Sequence, residues 1–269
     1  LKNPIKNFQG STVEEFIALI SEQGLPAAVA KGVDSRDYTK GNTWEQARMN
    51  IMNALLPSPK LQAQILKEGI VKGHTQAVKW FPDACGNPRE IIEVLQPVLK
   101  DKSAANRWWA AVHLSRYAPD SEGLVEVLTE ALKAHWIANR LDNSASGLTG
   151  RGEAAKALAR LGAKAQSTRE VLFEQLGSEK VETADAAEIA GALNQITGEI
   201  DDIMKKLTEV AERMLTARRG TTLHGGDREL LRTLKHLIGR WKEKGKDVEG
   251  ALAERVAVLE KEIQYHLSM

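Results

Sequence analysis

The chain has 269 residues, with 42% hydrophobic side chains, 5% aromatics and a formal net charge of +1. That composition excludes wholesale disorder and argues against an all-β core, and the balanced charge gives no global case for nucleic acid or membrane as a partner. The single cysteine, Cys85, excludes a disulfide framework and a cysteine-built metal site, and no stretch approaches the run of about 18 apolar residues that a membrane span requires.

The first residue is Leu1, with neither an initiator methionine nor a signal-peptide core, so a processed product or a piece of a longer chain is expected. Helical periodicity starts at Ser11 and recurs to the C-terminus, without sustained period-two alternation. Residues 1–42 read as an N-terminal helical cap. Ser11-Thr12-Val13-Glu14, Thr43-Trp44-Glu45-Gln46 and Ser167-Thr168-Arg169-Glu170 each have capping-box spacing, a hydroxyl answered three residues on by a carboxylate or amide. Pro59, Pro88 and Pro119 stand where helices begin or connect, and Gly86, Gly162 and Gly198 where helices end. Roughly 12 to 14 helices joined by short turns are expected. Two segments interrupt the rhythm: residues 138–149, an insertion rich in Asn, Ser and Gly, and residues 217–226, basic and glycine-rich, which read as an exposed loop.

Residues 106–118 (NRWWAAVHLSRYA) and 150–162 (GRGEAAKALARLG) carry one helix pattern twice, offset by 44 residues. Arg107/Arg151, Ala110/Ala154, Ala111/Ala155, Leu114/Leu158 and Tyr117/Leu161 fall into register. The anchor position of Leu114 maps further onto Leu55, Cys85, Leu193 and Leu237, and Arg48 takes the place of Arg107. Away from that register, Cys85 reads as a small buried hydrophobe. Second amphipathic helices are expected over 60–69, 89–100, 121–136, 168–176, 200–216 and 248–266. Small residues let neighbouring helices approach, while leucine fills the groove between the helices of a hairpin. A recurrence at this period means stacked hairpins, none able to bury its apolar face alone. The expected fold is all-α: repeats over 43–198, then divergent repeats and a charged C-terminal helical cap over 199–269.

The 106–118 pattern resembles the HEAT-like repeats of phycobiliprotein lyase subunits, whose helix reads approximately V-R-x-x-A-A-x-x-L-x-x-L-G after an Asp-rich turn; Asp101 stands in that turn here. The run R-W-W-A-A-V-H-L also looks like the V-R-Y-W-A-A-x-G-L form found in helical modules C-terminal to bacterial sulfatases. The resemblance covers residues 95–196. Asn106 and Gly150 replace the family's Val, and no Asp precedes Arg151 by six residues. Looser hairpins, without an Asp–Arg ladder, are therefore expected. The resemblance implies an α-solenoid of about six HEAT-like hairpins, armadillo-like, that binds another protein or another domain of the same polypeptide and carries no activity by default.

Residues 150–155 spell G-x-G-x-x-A, but a polar segment rather than a strand precedes them, which argues against a dinucleotide site. Arg151 then reads as the repeat arginine, the milder alternative being an anion held at the helix N-terminus. The histidines (His74, His113, His135, His224, His236 and His266) form no i, i+4 pair, so no metal site is expected, nor any other cofactor. Asp201 and Asp202 are adjacent in sequence and point to different sides of a helix, against a shared acid/base role. Trp80, Trp108, Trp109 and Trp136 read as inter-repeat packing, with base stacking as the alternative. Residues 168–202 are acidic and 205–246 basic; pairing across neighbouring helices is the plainer expectation. The alternative is a bipolar surface with Arg218, Arg219 and Arg228 at its exposed edge.

The function expected is a non-catalytic protein-interaction scaffold, an accessory region of a larger enzyme such as a sulfatase being one form of it. Its partner would lie on the surface lined by the second helices, with Lys133, Trp136, Arg140 and the 138–149 insertion in contact. A nucleic-acid-binding or DNA-glycosylase-like protein using the basic stretch is the alternative, and a tetrapyrrole lyase or chaperone subunit a third.

Overall fold

A computed structural model describes residues 63–134 (without 64, 65, 68, 72 and 74), 150–218, 223, 225–243 and 254–261. Every element among the described residues is helical, as the periodicity requires. In chain order they are α1 (Thr75–Cys85), α2 (Pro88–Leu95), a 3-10 turn (Pro97–Lys100), α3 (Ala104–Tyr117) and α4 (Leu124–Lys133). After these come α5 (Gly150–Leu161), a second 3-10 turn (Gly162–Thr168), α6 (Arg169–Gly177), α7 (Thr183–Ile196), α8 (Ile200–Ala217) and α9 (Gly225–Glu243). Residues 254–261 are helical as well. The expected N-terminal cap, the first two capping boxes, Arg48, Leu55, Pro59 and the 138–149 insertion lie outside the described residues. The chain divides into two compact units after Tyr117, within the span read as repeats.

In the first unit α1, α2 and α3 pack on one another. Helix α2 starts as its sequence dictates: the Asn87 side chain accepts the Arg89 N–H at 3.1 Å, and Pro88 occupies the first turn, where no N–H is needed. The helix expected over 89–100 is broken at Pro97, which cannot donate to the preceding turn, and the chain continues as a 3-10 turn. The predicted face of α3 is buried, with Ala110, Ala111 and Leu114 all at 0% exposure. In α1, however, the buried set is Ala77, Val78 and Phe81. The anchor there is Phe81, one turn before the expected Cys85. Cys85 ends the helix beside Gly86 (φ 63°) and is only partly buried, its thiol within reach of the Asn87 carbonyl and Glu90. It is neither the anchor nor a core hydrophobe.

The second unit contains two rows of neighbouring helices. Helix α5 packs on α7 and α7 on α9, while α4 packs on α6 and α6 on α8. Cross-contacts α4–α5, α6–α7, α7–α8 and α8–α9 tie the rows together. The predicted anchors Leu158, Leu193 and Leu237 are buried, as are Ala154, Ala155 and Ala190. Helix α8 adds Ile203, Met204, Leu207, Val210, Ala211 and Met214 at helical spacing. Each such Leu, Ile, Val or Met side chain withdrawn from water contributes about 1.5–3 kcal/mol before entropy is counted, the alanines less.

Two local expectations are corrected. The capping box at 167–170 does not form: α6 is entered through the 3-10 turn, and Thr168 Oγ1 donates back to the Ala165 carbonyl at 2.6 Å. Glu170 instead pairs with Arg169. Nor is 217–226 uniformly an exposed loop, because Leu223 and Gly226 are buried. A Cβ on Gly226 would lie 3.1 Å from the Ala184 Cβ and 3.2 Å from the Ala184 nitrogen. That glycine serves close helix approach rather than a turn.

Candidate interaction surface

An α-helix leaves its first N–H groups without intrahelical partners. For α5 the answer comes from another helix: Asp185, in the first turn of α7, accepts the Gly152 N–H at 3.1 Å. The next step of the row repeats the device. Asp227, in the first turn of α9, accepts the Thr183 hydroxyl at 2.9 Å and is paired with Arg218 at 3.1 Å. In the first unit Asn106 of α3 accepts the Thr75 hydroxyl of α1 at 2.6 Å and donates to the Gly73 carbonyl at 3.2 Å. All three side chains are 1% exposed. Buried polar groups must be bonded to persist, so each marks a specified helix–helix register. Asn106 is thus a buried polar link between α3 and the start of α1.

The repeat arginines also act alike. Arg107 Nη1 donates to the Asp101 carbonyl at 2.9 Å, and Arg151 Nε to the Ala134 carbonyl at 3.4 Å, at the C-cap of α4. A cation there meets the negative end of a helix. Arg151 is 8% exposed.

Two open clefts lie along α6 and α8. One, about 560 Å³ in volume, is bordered by Gly177, Val210, Thr216, Ala217 and the side chains of Lys206 and Arg213. The other, about 410 Å³, lies between Arg169, Phe173, Asp202 and Lys205. Lys206 borders both, as does Glu209. The C-terminal end of α6 is held from α8: Arg213 donates to the Ser178 carbonyl at 3.3 Å, and Lys206 passes so near Gly177 that a Cβ would lie 2.8 Å from its Nζ. The Arg169 guanidinium sits 4.9 Å from the Phe173 ring centroid and pairs with Glu199 at 2.6 Å.

Of the residues expected at a partner surface, Lys133 is exposed at the end of α4, one residue before the carbonyl that holds Arg151. Arg228 is exposed on α9, and Arg218 is engaged by Asp227. Trp136, Arg140 and Arg219 lie outside the described residues. Trp109 is buried, with Lys79 of α1 over its ring at 5.2 Å. Glu188 and Glu199 of the acidic stretch pair with Lys156 and Arg169, which are not part of the basic stretch. Burial pushes the Glu188 carboxyl above its ordinary range, aided by Glu153 and Glu229 and opposed by Lys156.

Sequence reasoning did not single out Asp185 and Asp227 as helix-to-helix links, reading the first only as one member of an acidic stretch expected to pair across neighbouring helices. The available signal was its setting: Ala184, Ala186, Ala187 and Ile189 surround it, an apolar face on which a lone carboxylate needs a partner. No family model, curated protein or solved structure matches the chain.

Proposed function

We propose that the protein is a non-catalytic α-solenoid of about six HEAT-like hairpins with a charged C-terminal cap, acting as a protein-interaction scaffold. On this reading its partner is a separate protein or another domain of the same polypeptide, such as the catalytic domain of a sulfatase. The observation that carries the reading is the recurrence of one joint: a buried Asn or Asp in the first turn of a helix bonds to the start of a helix packed against it. A repeated joint between repeated helices is what a stacked array requires, and such arrays present long surfaces rather than a reaction centre.

The surface favoured is the one lined by the second helices, where α6 and α8 hold open clefts and Lys133 is exposed at the end of α4. The test is affinity capture with the full chain against a Lys133→Ala, Trp136→Ala, Arg140→Ala variant. Loss of the co-purifying partner from the variant supports this placement. Unchanged capture of every partner removes it.

A further inference from the structure

Helix α9 turns Leu230, Leu231, Leu234, Leu237 and Ile238 inward, which leaves the opposite face to solvent. On that face Arg228, Arg232, Lys235 and Gly239 follow one another at i, i+4, i+7 and i+11, and all four are exposed. That spacing sets three cations and a glycine in one line about 16 Å long. His236 and Arg240, also exposed, flank it. Only Arg232 of the line is in an ion pair among the described residues, with Glu229 at 3.3 Å. Both members of that pair are well exposed, so exchanging the partner costs little.

Gly239 is the second, independent observation. It lies inside a helix, where glycine costs about 1 kcal/mol relative to alanine. Its φ is not in the left-handed region, and a Cβ built there meets nothing within 4 Å. Gly226 of the same helix is explained by its contact with Ala184. Nothing in the described structure explains Gly239, which removes side-chain bulk from the end of a basic line.

We propose that this face of α9 docks an acidic amphipathic helix of a partner protein, whose carboxylates one turn apart meet Arg228, Arg232 and Lys235 and whose backbone comes close over Gly239. The inference rests on the scaffold reading only in taking the partner to be a protein. Charge complementarity selects an acidic ligand, and arginine suits carboxylates through paired N–H donors. A straight line with helical rise matches a second helix laid alongside. Single-stranded nucleic acid is the poorer match, because it needs aromatic platforms. Among the side chains described on this face there is no Trp, Tyr or Phe.

The test uses the full chain and a synthetic alanine-based helical peptide carrying glutamates at i, i+4, i+7 and i+11. The controls are the same peptide broken by two prolines and a DNA duplex. The intact helix is expected to bind at least ten-fold more tightly than the proline-broken peptide, and less tightly as salt rises. Arg228→Glu with Lys235→Glu abolishes binding, and Gly239→Leu weakens it at least ten-fold with the helical circular dichroism retained. Tighter binding of the duplex overturns the proposal, as does equal binding of the broken peptide, no binding at low salt, or indifference to these substitutions. A negative result here leaves the capture experiment at Lys133, Trp136 and Arg140 untouched, so the two readings fail separately.

Discussion

Replacing Asp185 by alanine tests the joint on which the stacked reading depends. The carboxylate is 1% exposed and accepts the N–H of Gly152, a buried residue in the first turn of α5. A hydrogen bond to a charged group contributes about 1.5–3 kcal/mol, and an N–H left buried and unanswered costs about 1–3 kcal/mol. The carboxylate also sits at the positive end of α5, a favourable interaction of up to about 2 kcal/mol when partly buried. Against these stands the cost of keeping a charge out of water, which alanine relieves. The net expectation for Asp185→Ala is a loss of about 2–3 kcal/mol. Asp185→Asn, which keeps an acceptor but not the charge, should lose about 1 kcal/mol. Urea unfolding followed by circular dichroism measures the loss. Native-state hydrogen exchange locates it, since about 2–3 kcal/mol corresponds to roughly 30- to 150-fold faster exchange at the Gly152 amide. Stability of Asp185→Ala within about 0.5 kcal/mol of the parent, with Gly152 exchange unchanged, would refute the reasoning.

Glu188 gives a pH-dependent counterpart. Its folded-state carboxyl is raised above the ordinary value, so the folded protein binds a proton more readily than the unfolded chain. Its contribution is therefore most favourable below the unfolded value of about 4.5 and is lost as pH rises through the folded value. Glu188→Gln should raise the thermal midpoint at pH 7, and the gain should vanish below about pH 4.5; a larger gain in acid than at neutrality contradicts the assignment. Two helical glycines should respond with opposite signs. Gly226→Ala drives a methyl against the Ala184 backbone and should cost about 1–3 kcal/mol. Gly191→Ala on α7 meets nothing within 4 Å and should stabilise by about 0.5–1 kcal/mol in the same unfolding assay.

Helix positions were legible in the sequence because they follow from periodicity and chain punctuation. Gly86, Gly162 and Gly198 all adopt positive φ at helix ends, and the expected helix over 200–216 is α8 almost to the residue. Helix entry was less legible. A hydroxyl followed by an acid at 167–170 satisfies the pattern of a capping box, yet the backbone had a competing 3-10 path, and Thr168 took it. Register within α1 was also misread, since a one-turn shift leaves an amphipathic stripe on the same face, and only packing distinguishes Phe81 from Cys85. The candidate surface was legible as charge but not as partnership. Arg218 and Arg228 look equivalent in sequence, whereas one is held by Asp227 and the other is exposed.

The joints also form at irregular spacing. Their partners lie 31 residues apart in Asn106–Thr75, 33 in Asp185–Gly152 and 44 in Asp227–Thr183. A strict sequence period would require one value. Each joint, however, connects only the start of one helix to the start of its neighbour, so the chain between them is free to differ in length. The longest spacing encloses α8, with 18 residues against 9 for α6, and the joint still forms at the same place. Hydrophobic burial between rows is non-directional and tolerates sliding, whereas a buried Asp or Asn has partners at one position only. Register between these helix pairs is therefore set by a few polar side chains at helix starts, while the apolar faces supply most of the cohesion. Variation in length is confined to the segments that the joints do not touch.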